Sequence, residues 1–214
     1  GEGSIKNINP SDTNDIIDEY TNATSQQLND AVASAHIAQK KWENVNIEKR
    51  ANILHNIGSE LIKQSKEIGT LLSREEGKTL PEGIGEVVRS GQQFQYYAAS
   101  ALRQFGENIA STRDGVSVEM SREPVGVCGI ISPWNFPIAI AAWKAAPAMA
   151  FGNAIVLKPA SQTPASAIAL TKIISEQKDI PEGLFNLVLG GGGTIGHQIS
   201  GHPDIAAISF TGSV

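Results

Sequence analysis

The sequence predicts an α/β fold in which a helical N-terminal segment precedes a doubly wound, Rossmann-like parallel sheet. Three observations support this prediction. About the first hundred residues carry apolar side chains at helical spacing. Four short apolar runs follow, beginning near residues 125, 153, 185 and 205. Helix-like stretches lie between these runs, and buried strands separated by helices are typical of a parallel sheet with helices on both faces.

The N-terminal segment is predicted to be helical throughout, in three stretches. The first begins after Thr24, which has capping-box spacing to Gln27, and its apolar residues step by three and four as far as Trp42. A second stretch covers residues 47–72 with the same period, and a third continues through Leu102. These stretches would form one helical body ahead of the sheet.

The pattern changes near residue 116. Val116 to Glu123 alternates apolar and polar residues, which is typical of a half-exposed strand. The buried strands of the sheet are predicted from the runs VGVCGIIS, NAIVLKP, FNLVLG and IAAISFTG. The helices between them are expected at Ile138 to Phe151, at Ala165 to Gln177 and, in a shorter form, from Thr194.

Composition excludes several classes of function. Seventeen basic residues stand against 22 acidic ones, for a net charge of -5, and no basic stripe is present to follow a nucleic acid. The longest apolar stretch is interrupted by Lys144 and Pro147, so no membrane span is expected, and the N-terminus has no signal-peptide pattern. The single cysteine, Cys128, allows no intrachain disulfide and fits a reducing, cytoplasmic location. We assign no metal ligand.

Ligands of such sheets bind at the carboxyl ends of the strands, and distinctive residues follow each predicted strand. After the first strand comes SPWNFP, in which two prolines restrict the backbone around Trp134 and Asn135. Two interpretations of Asn135 stay open. Its side chain could help to cap the next helix, or its amide could donate a hydrogen bond to a developing oxyanion.

The other strand ends carry further polar or glycine-rich segments. Lys158 could extend its ammonium to solvent or bind a ribose hydroxyl or a phosphate. The segment GGGGTIG at Gly190–Gly196 would let the backbone approach a phosphate, but its spacing is one residue off the usual dinucleotide fingerprint, and glycine runs also form simple turns. Gly212 and Ser213 are predicted to open a helix whose amides could hold an anion.

These segments also resemble a known family. SPWNFP, AWKAAPAMAFGNAIVLKPAS, GLFNLVLGGGG and SFTGS occur in the order and spacing of the NAD(P)-dependent aldehyde dehydrogenases, and LLSREEGKTLPEG and REPVGV extend the resemblance over nearly the whole chain. The chain is most similar in character to enzymes that act on α-ketoglutarate semialdehyde (2,5-dioxopentanoate) or succinate semialdehyde. In this family a cysteine thiolate attacks the aldehyde, hydride passes to the nicotinamide, and a glutamate-activated water hydrolyses the thioester.

The resemblance implies roles for individual residues. Asn135 would be the side-chain half of the oxyanion hole, and Phe136 and Trp143 would face an aldehyde substrate. Many NAD-preferring members have a glutamate at the position of Ser161, which would repel a 2′-phosphate, so we expect use of NADP or of both cofactors. The residues expected to line the cofactor groove are Ile131, Ser132, Pro133, Trp134, Lys158, Pro159, Ala160, Ser161, Gly192, Gly196, Phe210, Gly212 and Ser213.

The resemblance also predicts what this sequence lacks. The catalytic cysteine and glutamate of the family are expected beyond residue 214, so we expect a cut within a domain and no dehydrogenase activity from this piece alone. Cys128 is predicted to be a buried core residue of raised pKa rather than the nucleophile. The early strands of the family are expected to be missing before Gly1.

The resemblance also implies a domain organisation. We expect a helical part at 1–112, a bridging strand at 113–124 and the truncated sheet at 125–214, with dimers or tetramers formed through a hairpin that includes Val116 to Glu123. Two alternatives to an aldehyde dehydrogenase remain. The chain could be a non-catalytic nucleotide-binding module, or a structural chain that pairs with a second polypeptide carrying the cysteine and glutamate.

Overall fold

The computed structural model describes residues 3–103 and 106–213. The N-terminal part contains a hairpin and four helices: β1 (Ser4–Ile8), β2 (Ile16–Thr21), α1 (Ser25–Trp42), α2 (Ile47–Lys63), α3 (Ser65–Glu76) and α4 (Leu80–Ala101). A second hairpin follows, made of β3 (Glu107–Ala110) and β4 (Ser117–Met120). The C-terminal part contains β5 (Val127–Ile131), α5 (Pro137–Ala150), β6 (Ala154–Lys158), α6 (Pro164–Ser175), β7 (Phe185–Leu187), a π-helical turn (Gly192–Gly196), α7 (His197–Gly201) and β8 (Ala207–Phe210).

The predicted parallel sheet is confirmed. Its strands run in the order β7-β6-β5-β8, and every neighbouring pair is parallel. All five residues of β6 are buried, as expected of a central strand that is covered on both faces. Helix α1 contacts β5, β6 and β7, while α5 and α6 also contact the helices of the N-terminal part. The structure is therefore an α/β fold with one shared hydrophobic core.

The N-terminal helices form largely where the periodicity places them. The capping box is present, because the Gln27 amide donates to Thr24 Oγ1 at 3.1 Å and the Thr24 amide donates to Gln27 Oε1 at 2.9 Å. The second predicted stretch is divided between α2 and α3 at Gln64. Apolar side chains on the inner face of α1 and α2, including Trp42 and Leu54, are completely buried.

Two of these helices cross at glycine. A Cβ atom added to Gly58 of α2 would lie 2.5 Å from the carbonyl oxygen of Gly91, and one added to Gly91 of α4 would lie 2.6 Å from that of Gly58. Real Cβ atoms do not approach other atoms so closely, so the two backbones touch directly. This crossing holds α4 against α2.

The prediction of a wholly helical N-terminus is wrong, and so is the expectation that early strands are missing. Residues Ser4–Ile8 pair antiparallel with Ile16–Thr21. Side-chain hydrogen bonds of Asn9 shape the connecting turn, and Arg74 of α3 forms a two-pronged ion pair with Asp15 that attaches the hairpin to the helices. Short strands that lack a long apolar run and are held by such tertiary contacts leave only a weak pattern in the sequence.

The second hairpin confirms a predicted strand and corrects its environment. Ser117–Met120 pairs antiparallel with Glu107–Ala110. Every residue of the two strands is exposed, although half-burial was expected, because this ribbon projects from the part of the chain that the structure describes. Val118 and Met120 are both more than 40% exposed, so apolar side chains face outwards here.

Two further expectations concern the burial of Cys128 and the absence of a membrane-spanning helix. Cys128 lies in β5 and is half-buried, not fully buried as predicted, yet its surroundings still raise the pKa of its thiol by desolvation. Within residues 3–103 and 106–213, no helix has the length and apolar character needed to cross a membrane.

Candidate functional site

The strand ends of the sheet lie at one edge. Ile131, the last residue of β5, is in register with Lys158 of β6 on one side and with Phe210 of β8 on the other. Backbone hydrogen bonds continue the pairing for one more residue, from the Ser132 amide to the Lys158 carbonyl and from the Thr211 amide to the Ile131 carbonyl. The segments predicted to carry the site therefore leave the sheet next to each other.

Lys158 and the glycine segment form the first part of the site. The Lys158 ammonium donates to the carbonyl oxygens of Pro159 at 2.6 Å and Gly190 at 3.2 Å, and Ser161 Oγ also donates to Gly190, at 3.3 Å. Lys158 is only 3% exposed, so the alternative in which it extends to solvent is wrong. Burial lowers the pKa of its ammonium.

The partners of this ammonium are neutral. Among the described residues, no carboxylate lies within ion-pair distance of Lys158 Nζ, although Nζ is nearly inaccessible. Two carbonyl dipoles compensate its charge only in part, because a buried ammonium is costly without an anionic or multiply hydrogen-bonded partner. The cluster of Lys158, Ser161 and Gly190, which we call the lysine cluster, therefore favours an oxygen-rich ligand.

The glycines beside the lysine cluster differ from one another. Gly190 has a φ of +157°, and a Cβ atom there would meet Ile195 Cγ1 at 2.5 Å. Gly196 is buried against the side chain of Lys158, with 3.6 Å from a built Cβ to Lys158 Cδ and Cε. Gly192 is exposed and has open space around it. Packing therefore accounts for Gly190, and the open surface at Gly192 leaves room for a ligand.

The segment after β5 forms the second part of the site. Trp134 is 54% exposed and lines a cavity of about 360 Å³ together with Gln162 and Thr163, which follow β6. Asn135 is exposed, and its side-chain amide makes no hydrogen bond within the described residues. Since Phe136 occupies the N-cap position of α5 and lacks a side-chain cap, the alternative in which Asn135 caps this helix is wrong.

A distant carboxylate caps α5 instead. Glu86 Oε1 of α4 accepts hydrogen bonds from the amides of Ile138 and Ala139, both at 3.1 Å. Its second oxygen lies 2.5 Å from the ammonium of Lys78, which also donates to the carbonyl oxygen of Asn135 at 3.0 Å. This arrangement connects the loop of Asn135 to α4.

Helix α6 is capped in the same way. Glu75 of α3 accepts hydrogen bonds from the amides of Ala165 at 2.5 Å and Ser166 at 3.0 Å, and a further one from the Ser166 hydroxyl. Desolvation raises the pKa of Glu75 despite these bonds. Sequence reasoning missed Glu75, Glu86 and Lys78. The only local signal was at α5, which begins with Pro137 after Phe136, a residue that cannot cap a helix with its side chain, whereas Thr163 before α6 is a capping-type residue that makes no such bond.

The remaining predicted residues differ in how close they lie to the lysine cluster. Pro159 supplies a carbonyl oxygen to the Lys158 ammonium, and Ile131 and Ser132 pair with the strand that ends at Lys158. Phe136 and Trp143 are both 48% exposed, and no described contact joins Trp143 to the cluster. Next to Trp143, the Lys144 ammonium donates to Ser209 Oγ at 2.8 Å and ties α5 to β8, and burial lowers its pKa. The other predicted residues range from the buried Ser132 and Pro159, through the half-buried Ile131, Pro133 and Ala160, to the exposed Phe210, Gly212 and Ser213.

Residues 211–213 follow β8 without regular structure, and the helix predicted to open at Gly212 and Ser213 would lie outside the described residues. Across the described ranges, no group of three or more His, Cys, Asp and Glu side chains is placed to hold a metal ion.

The parallel sheet with a polar cluster at its strand ends defines an α/β protein of the kind in which ligands bind at the carboxyl ends of the strands. Residues 1–214 match the aldehyde dehydrogenase family. The chain belongs to this family.

Curated relatives agree with this assignment. The chain is 39% identical over 211 residues to an alpha-ketoglutaric semialdehyde dehydrogenase of Bacillus subtilis, which covers 98% of this chain and 43% of the relative. It is 36% identical over 206 residues to a 2,5-dioxopentanoate dehydrogenase of Saccharolobus solfataricus, covering 96% of this chain and 43% of the relative. The chain thus spans less than half the length of these relatives.

Solved structures share the fold. An aldehyde dehydrogenase from Brucella melitensis biovar abortus superposes with a TM-score of 0.95 at 32% identity, over 99% of this chain and 43% of that one. A betaine aldehyde dehydrogenase from Staphylococcus aureus in complex with NAD+ has a TM-score of 0.94 at 31% identity, over 99% and 43%. An NADP-dependent enzyme of Escherichia coli has a TM-score of 0.93 at 30% identity, over 96% and 42%.

Proposed function

We propose that the protein carrying this sequence is an NAD(P)-dependent aldehyde dehydrogenase that oxidises an aldehyde to its carboxylic acid. Membership of the family supports the reaction class. The single structural observation that carries the proposal is the lysine cluster, a buried ammonium with only neutral partners at the carboxyl edge of a parallel sheet. The similarity to semialdehyde dehydrogenases favours a semialdehyde, such as that of α-ketoglutarate or succinate, as the substrate.

The residues at the sheet edge fit a dinucleotide. Lys158 and Ser161 would bind ribose hydroxyls or a 2′-phosphate, and the open surface at Gly192 would lie beside them. When bound, the nicotinamide supplies the hydride acceptor. Ser161 places no negative charge beside the lysine, so we propose NADP or dual use. The other predicted groove residues, from Ile131 to Trp134 and from Phe210 to Ser213, complete the same edge in this proposal.

Asn135 is proposed to stabilise the oxyanion of the intermediate. Its amide is exposed and makes no hydrogen bond within the described residues, which leaves its N–H groups available to an incoming oxygen. Phe136 and Trp143 are proposed to contact the aldehyde. The cysteine and glutamate that complete the chemistry of the family are expected outside this sequence.

The exposed hairpin of β3 and β4 is proposed to pair with a second copy, giving a dimer or tetramer. Its outward-facing apolar residues, such as Val118 and Met120, support this role. We also propose a cytoplasmic location, which fits the single cysteine of the sequence.

The test is a panel of aldehydes and semialdehydes assayed with the full-length protein in the presence of NAD or NADP. We expect reduced cofactor, measured by its absorbance, with a semialdehyde as the best substrate. Binding of NADPH without turnover of any aldehyde would instead indicate a non-catalytic nucleotide-binding module. A second, different polypeptide that co-purifies and is required for turnover would indicate a structural partner chain.

A further inference from the structure

We propose that Lys78 is a positioning residue that holds Asn135 in place for the oxidation reaction, and that Glu86 holds Lys78. This inference rests on the proposed function, in which Asn135 contacts the reacting oxygen. Lys78 would not touch the substrate itself. It would act through the backbone of the SPWNFP loop.

The first observation is that the ion pair of Lys78 and Glu86 binds the backbone at both ends of the segment 135–139. The Lys78 ammonium donates to the Asn135 carbonyl at 3.0 Å, and Glu86 accepts from the amides of Ile138 and Ala139. The two side chains meet at 2.5 Å. The backbone from residue 135 to residue 139 is thus held at its start by a cation and at its end by the carboxylate that binds this cation.

The second observation is the burial of the pair. The side chain of Glu86 is only 2% exposed and that of Lys78 only 11% exposed. A second carboxylate, Glu76, lies 2.9 Å from the ammonium, and the ring of Phe136 lies over it with 4.2 Å from Nζ to the ring centre. A lysine bound on four sides loses the freedom of an ordinary surface lysine, so its donation to the Asn135 carbonyl is directional.

The third observation concerns Asn135 itself. Its side chain is exposed and has no hydrogen bond of its own among the described residues, so the position of its amide depends on the backbone. Pro133 and Pro137 restrict this backbone only in φ. The carbonyl contact with Lys78 restrains the peptide group that follows Asn135. Misplacement of a catalytic group by about 1 Å can reduce a rate by about 100-fold.

The test uses the full-length protein, four variants at Lys78, Glu86 and Lys63, and Asn135→Ala with and without the double change. Lys78→Met leaves two buried carboxylates without their cation and could unfold the loop, so Lys78→Met/Glu86→Gln is tested beside it, since glutamine still accepts from the amides of α5. Lys78→Arg restores a cation. Lys63→Met is the control, because Lys63 forms an exposed ion pair with Glu60 on α2.

We expect the double variant to lower kcat by about 10- to 100-fold with little change in the KM for the cofactor, and Lys78→Arg to retain more of kcat than Lys78→Met. Lys63→Met should match the wild type. The decisive comparison adds the double change to Asn135→Ala. If Lys78 acts through Asn135, kcat in that background falls no further. If the double change lowers kcat in the Asn135→Ala background by the same factor as in the wild type, the inference is overturned.

Amide hydrogen exchange provides a second test, which does not depend on enzymatic activity. Amides of residues 132–140 should exchange faster in the double variant than in the wild type or in Lys63→Met, with the rest of the chain unchanged. Unchanged exchange overturns the inference, as does faster exchange with an unaltered kcat. If the wild-type protein oxidises no aldehyde, the proposed function fails, and the exchange result alone decides whether Lys78 holds this loop.

Discussion

Adding one methyl group at the crossing of α2 and α4 should destabilise the protein, whereas the same change one helical face away should not. Gly91→Ala places a Cβ atom 2.6 Å from the Gly58 carbonyl oxygen and 2.7 Å from Ile62 Cγ1. Ordinary contacts begin at 3.4 Å, so the helices must separate or bend. Gly85, also on α4, is exposed and has no atom within 4 Å of a built Cβ.

The expected change in the free energy of unfolding results from two opposing effects. Alanine is favoured over glycine inside a helix by about 1 kcal/mol, and this gain applies to both variants. Overpacking of a close contact costs about 1–3 kcal/mol and applies only to Gly91→Ala. The difference between the two variants is therefore the overpacking alone, about 1–3 kcal/mol, and Gly85→Ala should equal or exceed the wild type in stability.

The assay is urea unfolding followed by tryptophan fluorescence, with thermal melting as a second measurement. For a chain of this size, each kcal/mol shifts the melting temperature by about 2–4 °C, so Gly91→Ala should melt several degrees below Gly85→Ala. Equal stability of the two variants would refute the direct backbone contact described for this crossing. Loss of stability in both would show that α4 is destabilised by any added side chain.

Three further outcomes are expected. Burial lowers the pKa of Lys158, so the native state releases this proton at a lower pH than the unfolded chain, whose lysines titrate at about 10.4. The free energy of unfolding should therefore rise with pH just below that value. Urea titrations of Lys158→Met should show a smaller rise than the wild type, because Lys144, whose pKa burial also lowers, still contributes. Cys128 has a raised thiol pKa, so Ellman's reagent should label it far more slowly in the folded than in the unfolded 214-residue chain, and rapid labelling under native conditions would contradict its placement. Ser161→Glu should weaken NADPH binding by about tenfold or more relative to NADH, measured by fluorescence titration, because a carboxylate repels the 2′-phosphate.

Local patterns predicted a large part of this fold. Helices such as α1 and strands such as β6 are recognisable because their burial repeats every three to four residues or continues over a whole apolar run. The capping box at Thr24 involves residues three positions apart, so it is visible in the sequence. The hairpin of β1 and β2 was missed because its strands are short and lack a long apolar run, and because a tertiary ion pair between Arg74 and Asp15 attaches it to the helices.

The candidate site also has features that the sequence shows and features that only tertiary contacts set. The sequence shows that Lys158 ends an apolar run and that Asn135 and Ser161 each follow one, and parallel pairing then brings their segments to one edge of the sheet. The sequence could not show that the Lys158 ammonium is enclosed by carbonyls, because Gly190 is 32 residues away. It also could not show that Asn135 leaves the capping of α5 to another residue.

The sequence by itself determined where the helices and strands form and which segments lie at the strand ends, since periodicity and turn residues act over a few positions. The tertiary structure alone decided how these segments are held. Glu86 reaches across 52 residues to cap α5, and Lys78 reaches across 57 to the Asn135 carbonyl. Such contacts depend on how α3 and α4 pack, and that packing depends on close helix crossings such as the one at Gly58 and Gly91, which local residue patterns do not encode.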